Sequence, residues 1–119
     1  NTIEVKSMLR QKISETLDLI GMDKSLKGYR YSLLAINELA NCNLWQDINA
    51  VYDFVGKICC TKKENVERNI RYAIENTWEH GDIKQIDKIF GYTVDKEKGK
   101  PTNREFIFMI ADKVMINNS

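Results

Sequence analysis

The sequence VYDFVGKICCTKKENVERNIRYAIENTW, residues 51–78, has the pattern of two helices joined by a tight turn. Apolar residues recur every three or four positions on both sides of Cys59-Cys60, which is the spacing of amphipathic helices. Gly56 stands where two helix backbones would approach closely. Thr61-Lys62-Lys63-Glu64 has the form of a capping box that would start the second helix. These features predict a helix-turn-helix at about residues 51–78, although an ordinary two-helix hairpin has similar spacing.

Helical periodicity continues on both sides of this stretch. It predicts a first helix that ends near Gly21, a second that starts near Gly28 and stops at Asn41-Cys42-Asn43, and a short helix that is closed by Gly91. A polar loop, Tyr92 to Lys100, precedes a second capping box, Pro101 to Glu105, which would start a terminal helix. No segment alternates convincingly like a strand. The prediction is an all-α single domain over residues 1–119 with about six helices.

Composition narrows the possible classes of function. The chain has 119 residues, 43% of them hydrophobic and 29% charged, which excludes wholesale disorder. Its net charge of +1 provides no overall attraction to nucleic acid or membrane, so binding to either needs a local cluster. The longest apolar run, Phe106 to Ala111, is far too short to cross a bilayer, and the charged first twenty residues exclude a signal peptide. Cys42, Cys59 and Cys60 lack CxxC spacing, which indicates reduced thiols in the cytoplasm.

Nothing in the sequence favours catalysis. His80 is the one histidine, and it stands near a predicted helix end, where a surface or capping role is usual. The sequence lacks the HExxH, GxSxG, P-loop and GxGxxG motifs, and no histidine cluster accompanies the cysteines. We therefore expect a protein that is not an enzyme, without a cofactor or a metal site.

The second helix of the central stretch has residues suited to DNA. With its apolar stripe turned inward, the opposite side carries arginines that can bond guanine, an asparagine that can bond adenine and glutamates that can accept from cytosine. These residues are Glu64, Asn65, Arg68, Arg71, Tyr72 and Glu75. Lys57, Lys62 and Lys63 lie near the helix start, where phosphates would pass. The alternative is that Glu64–Arg68 and Glu67–Arg71 are i,i+4 pairs that only solubilise a surface helix.

Three segments carry a family resemblance. KGYRYSLLAI at 27–36, VERNIRYAIENTWEHGDI at 66–83 and IFGYTVDKEKGKPTNREFIFMIADK at 89–113 resemble the C-terminal effector domain of the stage zero sporulation protein A family. Members of that family are response regulators that commit endospore-forming bacteria to sporulation. The resemblance extends from about Ile20 onward. It implies a six-helix domain that places the second helix of its helix-turn-helix in the major groove of a TGTCGAA-like element, the 0A box.

The resemblance also implies site residues. Glu67 and Arg71 would contact bases, Arg68 would contact bases or phosphates, and Asn65 stands where relatives have a base-contacting arginine. Tyr72 replaces a family histidine, so the preferred element can differ from the family's. The implied phosphate contacts are Lys62, Lys63, Tyr72 and Lys100. Cys60 replaces the usual asparagine or glycine of the turn, which predicts a slightly strained left-handed residue there.

Further implied contacts involve proteins. The short helix and the residues that follow it resemble the surface with which the family contacts the RNA polymerase sigma factor, which would comprise Gly81, Gln85, Phe90 and Val94. Phe90 and Val94 could instead belong to the core, and for Phe90 the core is favoured. The resemblance implies a homodimer on tandem DNA sites and a phosphorylated receiver domain that this sequence does not include. The alternative function is a protein-interaction module that keeps the fold but has lost specific DNA binding.

Overall fold

A computed structural model of the protein describes residues 2–42, 47–91 and 99–118, and these residues form six α-helices and no strand. The all-α class is therefore confirmed. The helices are α1 (Thr2–Leu19), α2 (Lys27–Cys42), α3 (Ile48–Ile58), α4 (Lys63–His80), α5 (Ile83–Phe90) and α6 (Asn103–Asn118). Helix α2 continues through Cys42, the middle residue of the predicted break.

Helix α2 is central to the packing and contacts α1, α3, α4 and α6. Its crossing with α4 is close because Gly28 has no side chain. A Cβ at Gly28 would overlap the main-chain oxygen of Asn69 and lie 2.6 Å from the Cβ of Ala73. The sequence pattern marked Gly28 only as a helix start, but its packing fixes the position of α4 on the core.

An aromatic cluster joins the last three helices. Trp78 of α4 contacts Phe90 of α5 edge-on, with ring centroids 5.2 Å apart, and Phe106 of α6 at 6.1 Å. Phe90 and Phe106 stack with centroids 5.5 Å apart. Phe90 is 1% exposed, which confirms the core alternative for that residue.

The end of α1 is attached to the junction between α4 and α5. Gly21 ends α1 as predicted, with φ +83°. The amide of Asp82 donates to the carbonyl oxygen of Ile20, the residue before Gly21, at 3.0 Å. A Cβ at Gly81 would overlap that same carbonyl, so the glycine permits the close approach.

The start of α6 has the predicted capping box. The amide of Glu105 donates to the hydroxyl oxygen of Thr102 at 3.2 Å, and the amide of Thr102 donates to the carboxylate of Glu105 at 3.0 Å. These hydrogen bonds lower the pKa of Glu105 from its ordinary value. The capping box fixes the N-terminus of α6 beside α4.

Candidate nucleic-acid interface

Helices α3 and α4 are joined by four residues, Cys59 to Lys62, as the sequence pattern predicted. The amide of Cys59 donates to Val55 O at 2.9 Å, and the amide of Thr61 donates to Gly56 O at 2.8 Å. A Cβ at Gly56 would lie 2.6 Å from Thr61 O, so the turn passes directly over this glycine. The helix-turn-helix arrangement therefore depends on Gly56, as expected.

Cys60 adopts the left-handed conformation that its position in the turn predicted. Its φ is +55°, and its side chain is exposed. The left-handed region is costly for a residue with a Cβ, by about 1–2 kcal/mol. The turn is therefore kept at the expense of local strain.

The predicted capping box at Thr61 does not form. Helix α4 starts at Lys63 with Lys62 as its N-cap, and no side chain caps it. The hydroxyl oxygen of Thr61 accepts instead from Nδ2 of Asn65 at 2.9 Å. Closing the turn onto Gly56 leaves Thr61 one residue too early to cap the helix. The amides of the first turn of α4 therefore lack a side-chain acceptor, and exposed Lys62 and Lys63 lie beside them.

The outward face of α4 matches the prediction. The inward stripe is buried and comprises Val66, Ile70, Ala73, Ile74 and Thr77. Arg68, Arg71 and Tyr72 are exposed on the opposite side, Tyr72 by 51%. Arg68 has no ion pair among the described residues. The Glu64–Arg68 pair that the sequence suggested as an alternative therefore does not form. An unpaired arginine is therefore available near the middle of this face.

Arg71 forms the i,i+4 ion pair with Glu67 that the alternative interpretation of this helix proposed. Its Nε lies 3.1 Å from Oε1 of Glu67, and one of its terminal nitrogens lies 3.4 Å from Oε2. The backbone of Glu67 is also held, because its carbonyl oxygen accepts from Nδ2 of Asn103 at 3.0 Å. Asn103 also lines the same groove as Tyr52, and burial raises the pKa of that phenol. Helices α3, α4 and α6 thus meet at Glu67.

Lys100, which the resemblance assigned to a phosphate contact, lies beside α4. Its Nζ is 3.3 Å from Oε1 of Glu75. Lys100 and Arg71 line one groove of about 430 Å³. The groove is completed by Tyr52, Glu67, Pro101, Thr102, Asn103 and Arg104.

Sequence reasoning missed two features of this region. Arg104 lines the groove while its guanidinium lies 4.6 Å from the ring centroid of Phe108. The i,i+4 spacing of Arg104 and Phe108 was the available signal. The second missed feature is a hydrogen-bonded chain from Thr61 through Asn65 to Asn69, so Asn65 is half-buried and bonded at both ends. The four-residue spacing of these polar side chains was the signal.

Three of the four residues assigned to the sigma-factor surface lie in the described part of the chain, and these three do not form one exposed patch. Gly81 ends α4, and Gln85 is half-buried on α5. The side chain of Phe90 is in the core and cannot face a partner in this structure, which corrects its assignment as a contact. Val94 lies outside the described residues.

Other kinds of site have little support in the described part of the chain. It contains no group of three or more histidine, cysteine, aspartate or glutamate residues that could hold a metal ion. None of its helices has the length and apolar character needed to cross a membrane. The outward face of α4 and the adjacent groove thus remain the main candidate site.

Comparison with protein families identifies the family of this chain. The model of the family described as "Sporulation initiation factor Spo0A C terminal" matches residues 13–114, which include α3, the turn, α4 and the groove. That range covers most of the chain. The chain belongs to this family, the DNA-binding effector domains of sporulation response regulators, which is not a family of enzymes.

Proposed function

We propose that this domain binds a 0A-box-like duplex sequence specifically, with α4 in the major groove. The observation that carries the proposal is the outward face of α4, where Arg68 is exposed without an ion pair in the described part of the chain, next to Arg71. Arginine bonds O6 and N7 of guanine together. The face follows a tight turn, and buried Val66 and Ile70 hold the first half of α4 on the core while Arg68 faces outward, as in helix-turn-helix proteins.

Phosphate contacts would set the position of α4 on the duplex. The first turn of α4 has no side-chain cap, and Lys62 and Lys63 are exposed there. Uncapped amides at a helix start bind phosphate well, because they donate hydrogen bonds and the helix dipole favours an anion. Tyr72 and Lys100 would add contacts on either side. An uncapped N-terminus, otherwise a defect, is thus suited to DNA.

On binding, two basic side chains would exchange their carboxylate partners for groups of the DNA. Arg71 is held by Glu67, and Lys100 is held by Glu75. All four side chains are between 38% and 53% exposed, and exposed pairs of this kind contribute about 1 kcal/mol or less. Guanine or phosphate can therefore replace the carboxylates at small cost. Glu67, once released, can accept from N4 of cytosine.

The test is fluorescence anisotropy on a TGTCGAA duplex and a scrambled duplex over a series of salt concentrations. We expect tighter binding to the box, with an affinity that falls steeply as salt increases. Arg71→Ala should weaken binding to the box by about 1–3 kcal/mol and reduce its discrimination at one base pair. Lys62→Ala should weaken binding to both duplexes alike.

The matched control is Arg10→Ala, which removes one exposed charge from α1, a helix that packs mainly on α2 and α6. It should leave both affinities unchanged. If Arg71→Ala and Lys62→Ala behaved like Arg10→Ala, the assignment of α4 to the groove would be wrong. Absence of binding to any duplex would favour the protein-interaction module instead.

The sigma-factor contact and the homodimer on tandem sites are further parts of the proposal. On α5, Ile83 is 63% exposed and Gln85 is half-buried, so this helix has a surface for a protein partner. Gln85→Ala should reduce transcription from a promoter with a 0A box while the affinity for DNA stays the same. Equal transcription by Gln85→Ala and the unaltered domain would remove Gln85 from that contact.

A further inference from the structure

Three polar side chains form a hydrogen-bonded chain along one edge of α4. Nδ2 of Asn65 donates to the hydroxyl oxygen of Thr61 at 2.9 Å. Nδ2 of Asn69 donates both to Oδ1 of Asn65 at 3.0 Å and to the main-chain oxygen of Asn65 at 2.8 Å. The side chain of Asn65 is therefore held from both sides.

The main-chain oxygen fixes the orientation of both amides. A carbonyl oxygen can only accept a hydrogen bond, so Asn69 must present its NH₂ group to Asn65. The side-chain atom of Asn65 that faces the same NH₂ group must then be its oxygen. The NH₂ group of Asn65 consequently points to Thr61. Turning the amide of Asn65 over would place one NH₂ group against another.

The held amide keeps one unused donor and one unused acceptor. Nδ2 has two hydrogens and Oδ1 has two lone pairs, and the chain of hydrogen bonds uses one of each. The second hydrogen of Nδ2 and the second lone pair of Oδ1 have no partner among the described residues. Adenine offers an acceptor at N7 and a donor at N6 in the major groove, which is the complementary pair. Guanine offers two acceptors there, so Oδ1 would face O6 without a hydrogen bond.

We infer that Asn65 recognises an adenine in the target duplex, and that Thr61 and Asn69 are positioning residues that hold its amide for this contact. The inference rests on the DNA-binding function proposed above. Asn65 lies near the N-terminus of α4, beside the uncapped first turn. The N-terminal residues of the second helix are those that reach base edges in helix-turn-helix proteins.

The test is a selection from randomised duplexes, followed by affinities for the selected sequence with each base pair changed in turn. The unaltered domain should require A·T at one position, with a loss of about 5- to 150-fold for other pairs. Asn65→Ala should abolish the preference at that position alone. Asn65→Arg should prefer G·C there, because arginine bonds O6 and N7 of guanine.

The positioning roles are tested with Thr61→Val and Thr61→Ser. Valine keeps the shape of threonine but removes the acceptor, whereas serine keeps the hydroxyl. We expect Thr61→Val to reduce the preference for A·T several-fold while the affinity for scrambled DNA and the unfolding midpoint stay the same. Thr61→Ser should retain the full preference. If Thr61→Val kept it as well, the positioning role of Thr61 would be refuted.

Failure of this inference differs from failure of the proposed function. A selected duplex whose base preferences are all unchanged in Asn65→Ala would overturn the inference and leave specific DNA binding intact. A selection that enriches no sequence would overturn both. Loss of the preferences at several positions in Asn65→Ala would also contradict the inference, because it would indicate a structural role for Asn65.

Discussion

Cys60 shows how a single residue can be strained to preserve a turn. Among the described residues it alone has a positive φ without being glycine. The sequence predicted this, because the left-handed turn position was expected from the family resemblance and a Cβ there is unfavourable. The orientation of Asn65 was not predictable, since it depends on which carbonyl Asn69 contacts.

Cys60→Gly should stabilise the domain. Glycine removes the steric cost of the left-handed conformation and adds some freedom to the unfolded chain, so the net gain should be about 0.5–1 kcal/mol. Urea denaturation measures the change. Cys60→Ser is the control, because it removes the thiol but keeps the Cβ, and it should give no such gain. Equal stabilities for the two variants would contradict the strain argument.

At the scale of the helix, sequence motifs for a helix start predict the N-cap correctly where tertiary contacts do not intervene. Thr102 caps α6 as the sequence predicted, and Gly91 closes α5 as expected. Thr61 has an equally good motif, yet it does not cap α4, because the turn must return to Gly56. Local sequence records the capping propensity, but the course of the preceding chain determines which residue is the N-cap.

The capping box of α6 should make stability depend on pH. The pKa of Glu105 is lowered in the folded state from 4.5, so its contribution is present above that value and is lost as pH falls through the folded pKa. The difference in unfolding free energy between the protein and Glu105→Gln should therefore be largest above pH 4.5 and shrink as pH falls through the lowered pKa of Glu105. A difference that stays constant with pH would exclude the carboxylate as the cause.

At Gly56, helix propensity and packing predict opposite effects of substitution by alanine on the stability of the domain. Alanine is favoured over glycine inside a helix by about 1 kcal/mol. A Cβ at Gly56 would, however, lie 2.6 Å from Thr61 O, and such overpacking destabilises by about 1–3 kcal/mol. We expect Gly56→Ala to lower the unfolding midpoint and to weaken DNA binding through the displaced turn. Lys57→Ala, at the exposed next position, is the control for stability and should leave the unfolding midpoint nearly unchanged. A raised midpoint for Gly56→Ala would refute the packing argument.

At the scale of the whole molecule, one core connects the two faces assigned to DNA and to protein. Phe90 belongs to α5, yet it packs against Trp78 of α4 and Phe106 of α6. The sequence favoured the core for Phe90 over the sigma-factor surface that the resemblance implied. It could not predict that Phe90 meets these two rings, because their contact depends on how three helices are arranged.

Phe90→Ala should destabilise the domain by about 3–5 kcal/mol, since it leaves a cavity between two aromatic rings. Thermal unfolding measures the loss. Lys88→Ala, an exposed residue of the same helix, is the control and should change stability by less than about 0.5 kcal/mol. A stable Phe90→Ala variant with weak transcription would return Phe90 to the sigma-factor surface.

For the DNA binding proposed above, the pairing of Arg71 with Glu67 and of Lys100 with Glu75 has a consequence for the search along DNA. Attraction to random DNA is almost wholly electrostatic, and a genome presents a vast excess of random sites. Cations that already have carboxylate partners, in a chain of net charge +1, weaken that attraction. The domain should dwell only briefly on wrong sequences. The domain should then search DNA through many short-lived binding events. Occupancy of the proposed target sequence would depend on discrimination between sequences more than on general affinity for DNA.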